Sequence, residues 1–286
     1  MKAAVAIETE STLSTFTATD GENLIVQEWP LPHQLAQRGT VIVVHGLGEH
    51  AGRYDALARQ LNQWGFAVRG FDQYGHGESG GVRGALPSDQ RLLDDLADIV
   101  DSTRYRMEPG TPLILLGHSM GGLVAAQFVA LGMRPVDGLI LSSPALDPGL
   151  TGWRKLLLAV IPRALLGLRV GNGLKPQFIS HKSEVVEAYL SDPLVHDRIS
   201  ARLARFIVTA GQAVVATAPQ WKVPTLLLYA GDDRLVNPQG SRAFAAAAPQ
   251  GVVRSQCFDK LYHEIFNERE ARPVFEALNA WIDARF

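Results

Sequence analysis

The sequence lacks the features that mark several classes of protein. Its 286 residues include one cysteine, Cys257, so an internal disulfide framework is excluded. Cys257 lies in the strand-like segment 252–258, where we expect a buried, inert thiol rather than a nucleophile. The 27 basic and 29 acidic residues nearly balance, and no basic tract with interleaved aromatic residues occurs, so no nucleic-acid partner is expected.

Long apolar runs are also missing. Residues 1–19 lack the basic start and apolar core of a signal peptide. The most apolar stretch, residues 156–168, contains Pro162 and Arg163 and is too short to span a bilayer. We therefore expect a cytoplasmic chain, and its 47% apolar and 20% charged residues are typical of a globular protein with a sizeable core.

Strand signals alternate with helical signals along the chain. Residues 13–19 and 24–29 alternate in hydropathy around a turn at residues 20–23, which predicts a hairpin. Nearly all-apolar runs, typical of strands covered on both faces, occur at residues 40–44, 66–71, 113–116, 138–142 and 225–229. Between these runs apolar residues recur at helical spacing. The pattern predicts an α/β fold, with a mostly parallel central sheet and helices on both faces.

The segment 147–220 interrupts this alternation. Leucine, arginine and proline replace the strand signals, and an apolar helical stripe runs from Trp153 to Leu168 with arginines beside it. We expect a helical cap inserted over the C-terminal edge of the sheet. The chain then divides into a core of residues 1–146 and 221–286 and a cap of residues 147–220.

A serine between two glycines stands at the centre of the sequence. Gly117-His118-Ser119-Met120-Gly121 joins an apolar strand to an Ala/Val-rich helical segment, which is the nucleophile-elbow pattern. So tight a turn strains the serine backbone and crowds the adjacent chain, so the flanking positions must lack a Cβ. Ser119 is therefore the candidate nucleophile, although a plain Gly/Ser turn can carry the same five residues.

A serine hydroxyl needs a histidine to take its proton and a carboxylate to orient the imidazole. In a doubly wound sheet both groups follow later strands, in the order Ser, Asp or Glu, then His. Asp232 and Asp233 follow the strand at 225–229, and His263 follows the strand at 252–258. Sequence alone does not separate the two aspartates, one of which can serve in an Asx turn. We favour Asp233.

Acyl transfer also needs donors for the developing oxyanion. The Met120 N–H, at the start of the helix after the nucleophile, is one candidate. The Leu47 N–H is the other, because it lies in the loop after the strand at residues 40–44.

The remaining histidines point to no metal site. His118 is expected to brace the elbow, and the spacing of the loop histidines matches no ligand motif. Because this acid–base chemistry needs no metal, we expect no metal. The loop histidines are His45, His50 and His76, while surface or cap positions are expected for His33, His181 and His196.

With these segments the chain resembles the monoacylglycerol lipases of the α/β-hydrolase superfamily. The loop at residues 45–54, which reads H-G-x-G-E-H-x-x-R-Y, is its most selective match, and the resemblance covers nearly the whole chain, most loosely in the cap. It implies the α/β-hydrolase fold and hydrolysis of a small lipid ester, a monoacylglycerol, to glycerol and fatty acid through an acyl-enzyme and without a cofactor. Lysophospholipase or general carboxylesterase activity, or a non-catalytic binding protein, are the alternatives.

The resemblance also implies residue roles. Asp233, in the family's Asp-Arg-Leu motif, takes the part of the triad acid, and Leu47 and Met120 take those of the oxyanion donors. Glu49 and Arg53 match loop residues near the glycerol end of the substrate, although a local salt bridge that shapes the loop is the alternative. The family's cap meets lipid through an apolar face, which implies transient contact with a membrane surface here; the stripe can instead pack on the sheet. The sequence does not fix the oligomeric state.

Overall fold

The computed structural model of the chain describes residues 10–32, 35–149 and 161–286. Ten strands occur in these ranges: β1 Thr12–Thr17, β2 Asn23–Trp29, β3 Gly39–Val44, β4 Phe66–Phe71, β5 Leu113–His118, β6 Gly138–Ser142, β7 Arg169–Gly171, β8 Arg198–Ser200, β9 Thr225–Ala230 and β10 Val253–Phe258. The same ranges hold seven α-helices: α1 Asp55–Gln63, α2 Arg91–Arg106, α3 Ser119–Ala130, α4 Ser183–Ser191, α5 Ala201–Thr217, α6 Pro238–Ala247 and α7 Arg272–Asp283.

Eight strands form one sheet in the order β1-β2-β4-β3-β5-β6-β9-β10. The strands from β4 to β10 in this order pair in parallel, while β1 and β2 form the predicted hairpin and β2 runs antiparallel to β4. After β3 the chain moves to one side, to β4, and later returns to the other side, to β5. The loops after β3 and β5 therefore flank a topological switch point, where α/β proteins place their ligand sites.

Side chains of each central strand alternate between two buried faces. In β3, Ile42 and Val44 face a core shared with α2, α3 and α5, whereas Val41 and Val43 face a second core under α1 and α7. All six β3 residues are buried. This two-sided burial explains the nearly continuous apolar runs, and the predicted α/β-hydrolase fold is confirmed.

The segment predicted as a cap contains α4, α5 and a two-stranded antiparallel sheet of β7 and β8. The apolar stripe from Trp153 to Leu168 falls largely on residues 150–160, which lie outside the described residues. Helix α5 buries Leu203 and Val214 in the main core. Across the described ranges no helix has the length and apolarity needed to cross a membrane.

The expectation that Cys257 is buried is wrong. Its strand, β10, is the last of the sheet and pairs only with β9. The thiol is consequently half-buried, 3.3 Å from Asp259 Oδ1.

Candidate active site

The turn between β5 and α3 holds Ser119 in a strained conformation. Its φ is +53°, in the left-handed region that favours glycine. A Cβ on Gly121 would lie 2.1 Å from the Val44 carbonyl oxygen, and one on Gly117 would lie 2.5 Å from the Gly121 carbonyl oxygen. Neither approach is compatible with a side chain, so both glycines are required for the elbow to close.

The structure brings Asp233, not Asp232, to His263. The Asp233 Oδ2 atom accepts a hydrogen bond of 2.7 Å from His263 Nδ1, and both side chains are buried. Asp233 Oδ1 accepts the backbone N–H groups of Leu235 and Val236 at 2.9 and 3.0 Å. Because Nδ1 carries the proton toward the carboxylate, the neutral imidazole keeps Nε2 free to accept a proton.

Asp233 and His263 each stabilise the charged form of the other. Burial lowers the pKa of His263, but the charge and hydrogen bond of Asp233, with Glu264 and Glu49, outweigh it and raise that pKa above its usual value. Burial raises the pKa of Asp233, yet His263 and the two backbone donors lower it overall. A protonated His263 imidazole is therefore stabilised by the carboxylate that faces it.

His118 connects the elbow to the base. Its ring centroid lies 4.6 Å from that of His263, and its Nδ1 lies 3.1 Å from Ser142 Oγ. Burial, followed by the His263 charge, lowers the pKa of His118 to about 3, so this ring is neutral at physiological pH. Both Ser119 and His263 lie in the described ranges, and no hydrogen bond joins them in the structure. In serine hydrolases such a hydrogen bond is often long before substrate binds and shortens when it does.

The loop after β3 passes directly beside Ser119. A Cβ on Gly46 would lie 3.2 Å from Ser119 Cβ. His45 fixes the loop, with Nδ1 donating to Gly46 O at 2.8 Å and Nε2 accepting the Gln73 N–H at 2.9 Å. Within the described chain, neither the Leu47 N–H nor the Met120 N–H donates a hydrogen bond. Both amides, predicted from the sequence as oxyanion donors, thus lack a partner among the residues that the structure describes.

Glu49 and Arg53 lie in a buried network. Glu49 Oε1 accepts the Gly46 N–H at 2.5 Å and the Tyr54 hydroxyl at 2.6 Å, while Oε2 is paired with the Arg53 guanidinium. Arg53 also donates to both oxygens of Glu264, at 2.8 and 2.9 Å. The local salt bridge considered from the sequence is therefore present, and it extends to the residue after the predicted base.

Two carboxylates beside His263 were missed by the sequence reasoning, Glu264 and Glu268. Glu268 is buried and accepts the Tyr262 N–H at 2.8 Å and His181 Nδ1 at 2.7 Å. His181, expected only at the surface or in the cap, stacks on the Tyr262 ring at 3.6 Å. The sequence signal that could have indicated these two carboxylates is the presence of two acidic residues within five positions after the predicted base.

The segment predicted as a cap contacts the loop that follows β3. His50 Nε2 donates to Asp192 Oδ2 at 2.8 Å, and the His196 N–H donates to Gly48 O at 2.9 Å. The His196 ring lies 4.8 Å from that of His76. In the described ranges no group of three or more His, Cys, Asp or Glu side chains is arranged to hold a metal ion.

Comparison with known proteins identifies the family. The family model described as serine aminopeptidase, S33, matches residues 36–270. The monoacylglycerol lipase of Mycolicibacterium smegmatis is 32% identical over 275 residues, covering 94% of this chain and 95% of the relative. Phospholipase YtpA of Bacillus subtilis is 34% identical over 248 residues, covering 85% and 94% respectively. The crystal structure of a monoacylglycerol lipase from Paleococcus ferrophilus has a TM-score of 0.80 and 32% identity, covering 97% of this chain and 100% of that one.

These matches extend over nearly the whole chain, and the family model spans the elbow, both aspartates and His263. The resemblance drawn from the sequence motifs is confirmed. The chain therefore belongs to the monoacylglycerol lipase family of the α/β-hydrolase superfamily and is a serine ester hydrolase.

Proposed function

We propose that the protein hydrolyses monoacylglycerols through a triad of Ser119, His263 and Asp233. The observation that carries the proposal is the buried Asp233–His263 hydrogen bond of 2.7 Å at the sheet edge where Ser119 is held in its strained turn. In the first half-reaction His263 Nε2 takes the Ser119 proton while Oγ attacks the ester carbonyl. The resulting oxyanion is stabilised by the N–H groups of Leu47 and Met120.

Collapse of this intermediate releases the alcohol, which takes its proton from His263, and leaves an acyl group on Ser119. Water then attacks the acyl-enzyme with His263 again as base, and the fatty acid leaves. Each proton that His263 accepts is returned within the same half-reaction. The chemistry thus needs no metal and no cofactor.

The substrate assignment is supported by the relatives. The M. smegmatis and P. ferrophilus proteins are named as monoacylglycerol lipases, and both match nearly the full chain. The B. subtilis relative is named as a phospholipase, which favours a lysophospholipase as the second candidate. A general carboxylesterase is the third.

We also propose that residues 147–220 form the cap, over a core of residues 1–146 and 221–286, and that the protein acts in the cytoplasm on lipid at a membrane surface. Leu165, Leu168 and Val170 are 48%, 59% and 55% exposed. In the sequence Arg163 lies two positions before Leu165, and Arg169 lies between Leu168 and Val170. Exposed apolar side chains next to cationic ones are typical of segments that bind transiently at a lipid interface.

A matched substrate panel tests the proposal. Hydrolysis of monoacylglycerols, lysophospholipids and p-nitrophenyl esters carrying the same acyl chains is measured, with Ser119→Ala as the inactive control. The highest kcat/KM is expected for the monoacylglycerols. A glyceride rate no better than that of the artificial esters would exclude a lipase, and a preference for lysophospholipids would establish the second candidate.

A further inference from the structure

Arg53 joins three separate parts of the candidate site. Its guanidinium contacts Glu49 in the loop after β3, Glu264 beside the predicted base, and the Tyr189 ring of α4, whose centroid is 4.8 Å away. From this geometry we infer that Arg53 is a positioning residue, which holds the oxyanion loop and the base loop together, and not a contact for the glycerol part of the substrate. The inference rests on the serine-hydrolase part of the proposed function.

On the oxyanion side Arg53 acts through Glu49. The two Glu49 oxygens are occupied by the Gly46 N–H, the Tyr54 hydroxyl and Arg53. Gly46 immediately precedes Leu47, so the carboxylate fixes the peptide chain from which the Leu47 N–H projects. Burial raises the pKa of Glu49, but the Arg53 charge and other neighbours, among them the hydrogen-bonded Tyr54 hydroxyl, lower it to about 2, so the group stays ionised.

On the base side Arg53 acts through Glu264. Both oxygens of this carboxylate accept from the guanidinium, and Oε2 also accepts from Asn267 Nδ2 at 2.8 Å. The Glu264 N–H donates to Ile179 O at 2.8 Å. Because Glu264 follows His263 in the chain, a bidentate pair at this position fixes the backbone that carries the imidazole.

The arginine has little capacity left for a substrate. Nη1 and Nη2 both donate to carboxylates, the Tyr189 ring covers one face, and the side chain is 11% exposed. Three of its five N–H groups are thus engaged by carboxylates, which leaves less of the guanidinium for a substrate. The planar fork of five donors suits the joining of two carboxylates, which a lysine cannot reproduce.

The network also sets the charge around the base. Two carboxylates face one guanidinium, so the cluster keeps one net negative charge beside His263. Glu264 and Glu49 both raise the pKa of His263, after the larger effects of burial and Asp233. The neighbouring His118 is neutral and leaves this balance unchanged.

Two substrates with the same acyl chain separate positioning from substrate contact. For Arg53→Lys and Arg53→Ala, kcat is expected to fall at least tenfold on both a monoacylglycerol and the matching p-nitrophenyl ester, with KM changed less than twofold. The control is Arg59→Ala, which removes a partly exposed ion pair between Arg59 and Asp55, one turn apart in α1. This variant should keep wild-type kinetics. A loss confined to the monoacylglycerol, or no loss on either ester, would overturn the inference.

Glu264→Gln supplies a second measurement if the Arg53 variants do not fold. Removing the Glu264 carboxylate takes away one of the two partners that Arg53 holds, so kcat should fall on both esters with KM little changed, and the acid limb of the kcat/KM profile should also move to lower pH. An unchanged kcat on both esters would contradict the inference. The p-nitrophenyl ester needs no glycerol recognition. The kinetics of the variants on this ester therefore test the role of Arg53 even if the substrate panel rejects monoacylglycerol as the natural ester. Failure of the substrate assignment can thus be distinguished from failure of the Arg53 inference.

Discussion

Asp233 and His263 meet through a 2.7 Å hydrogen bond, although 30 residues separate them in the chain. Asp232, one position earlier, is directed outward and pairs with Arg234 at 3.0 Å. The N–H groups of Leu235 and Val236 fold back onto Asp233 Oδ1, and this turn is what directs neighbouring side chains to opposite sides. One carboxylate can thus orient the imidazole and the other cannot.

Asparagine substitutions at these two positions should differ sharply. Asp233→Asn keeps the shape but removes the charge and favours the wrong imidazole tautomer, so kcat should fall about 10⁴-fold. Asp232→Asn removes only an exposed ion pair and should change kcat less than about twofold. Steady-state kinetics on a p-nitrophenyl ester measures both. A larger loss at Asp232 would reverse the assignment.

The pH dependence follows from the charge of His263. Its pKa is raised above the usual value of 6.5, chiefly because Asp233 outweighs burial. Protonated imidazole cannot take the Ser119 proton, so kcat/KM should fall as the pH drops through this raised pKa. The midpoint of the acid limb is expected above 6.5. A midpoint below that value would mean that another group titrates or that Asp233 does not face the base.

The elbow makes a prediction about stability. In Gly121→Ala the new Cβ would lie 2.1 Å from the Val44 carbonyl oxygen, so strand β3 or helix α3 must shift. We expect a loss of about 3 kcal/mol in the free energy of unfolding. Gly167→Ala is the matched control because no atom of the described residues lies within 4 Å of the position of its Cβ. Urea denaturation measures both variants, and an equal change in the two would contradict the packing argument.

Glu268 should support the base loop. Its buried carboxylate accepts from the Tyr262 N–H and from His181, and Glu268→Gln replaces an oxygen that accepts hydrogen bonds with an amide that donates. Leaving buried groups unpaired should lower the free energy of unfolding by about 1–3 kcal/mol. Glu276→Gln on α7, where the ion pair with Arg272 is exposed, is the control for urea denaturation. Equal stability of the two variants would show that Glu268 is not needed for the loop.

Much of the fold could be predicted because the central strands are covered on both faces. Continuous apolar runs such as residues 113–116 stand out from their surroundings, and parallel strands bring the loops that follow them to one edge. Ser119 and Asp233 each follow such a run and His263 follows the edge strand β10, so the strand pattern predicts that all three lie at one edge of the sheet. The turn that directs the Asp232 and Asp233 side chains to opposite sides could not be predicted from the sequence, because it depends on hydrogen bonds of the backbone.

Other features depend on distant parts of the chain. The Arg53–Glu264 pair joins residues 211 positions apart, and no local pattern indicates it. β7 and β8 have three residues each, too few for a hydropathy period. The exposure of Cys257 follows from the position of β10 at the sheet edge, and strand order is not encoded in the strand's own residues.

The most direct test of the account is the site of covalent modification by a fluorophosphonate, mapped by mass spectrometry of the digested protein. The probe needs an activated serine, so stoichiometric labelling of the peptide that contains Ser119 is predicted, with no labelling of Ser119→Ala. His263→Ala should reduce the labelling rate by orders of magnitude, because the three groups act as a unit. Labelling at another residue, or undiminished labelling of Ser119→Ala, would contradict the assignment of the elbow as the catalytic centre.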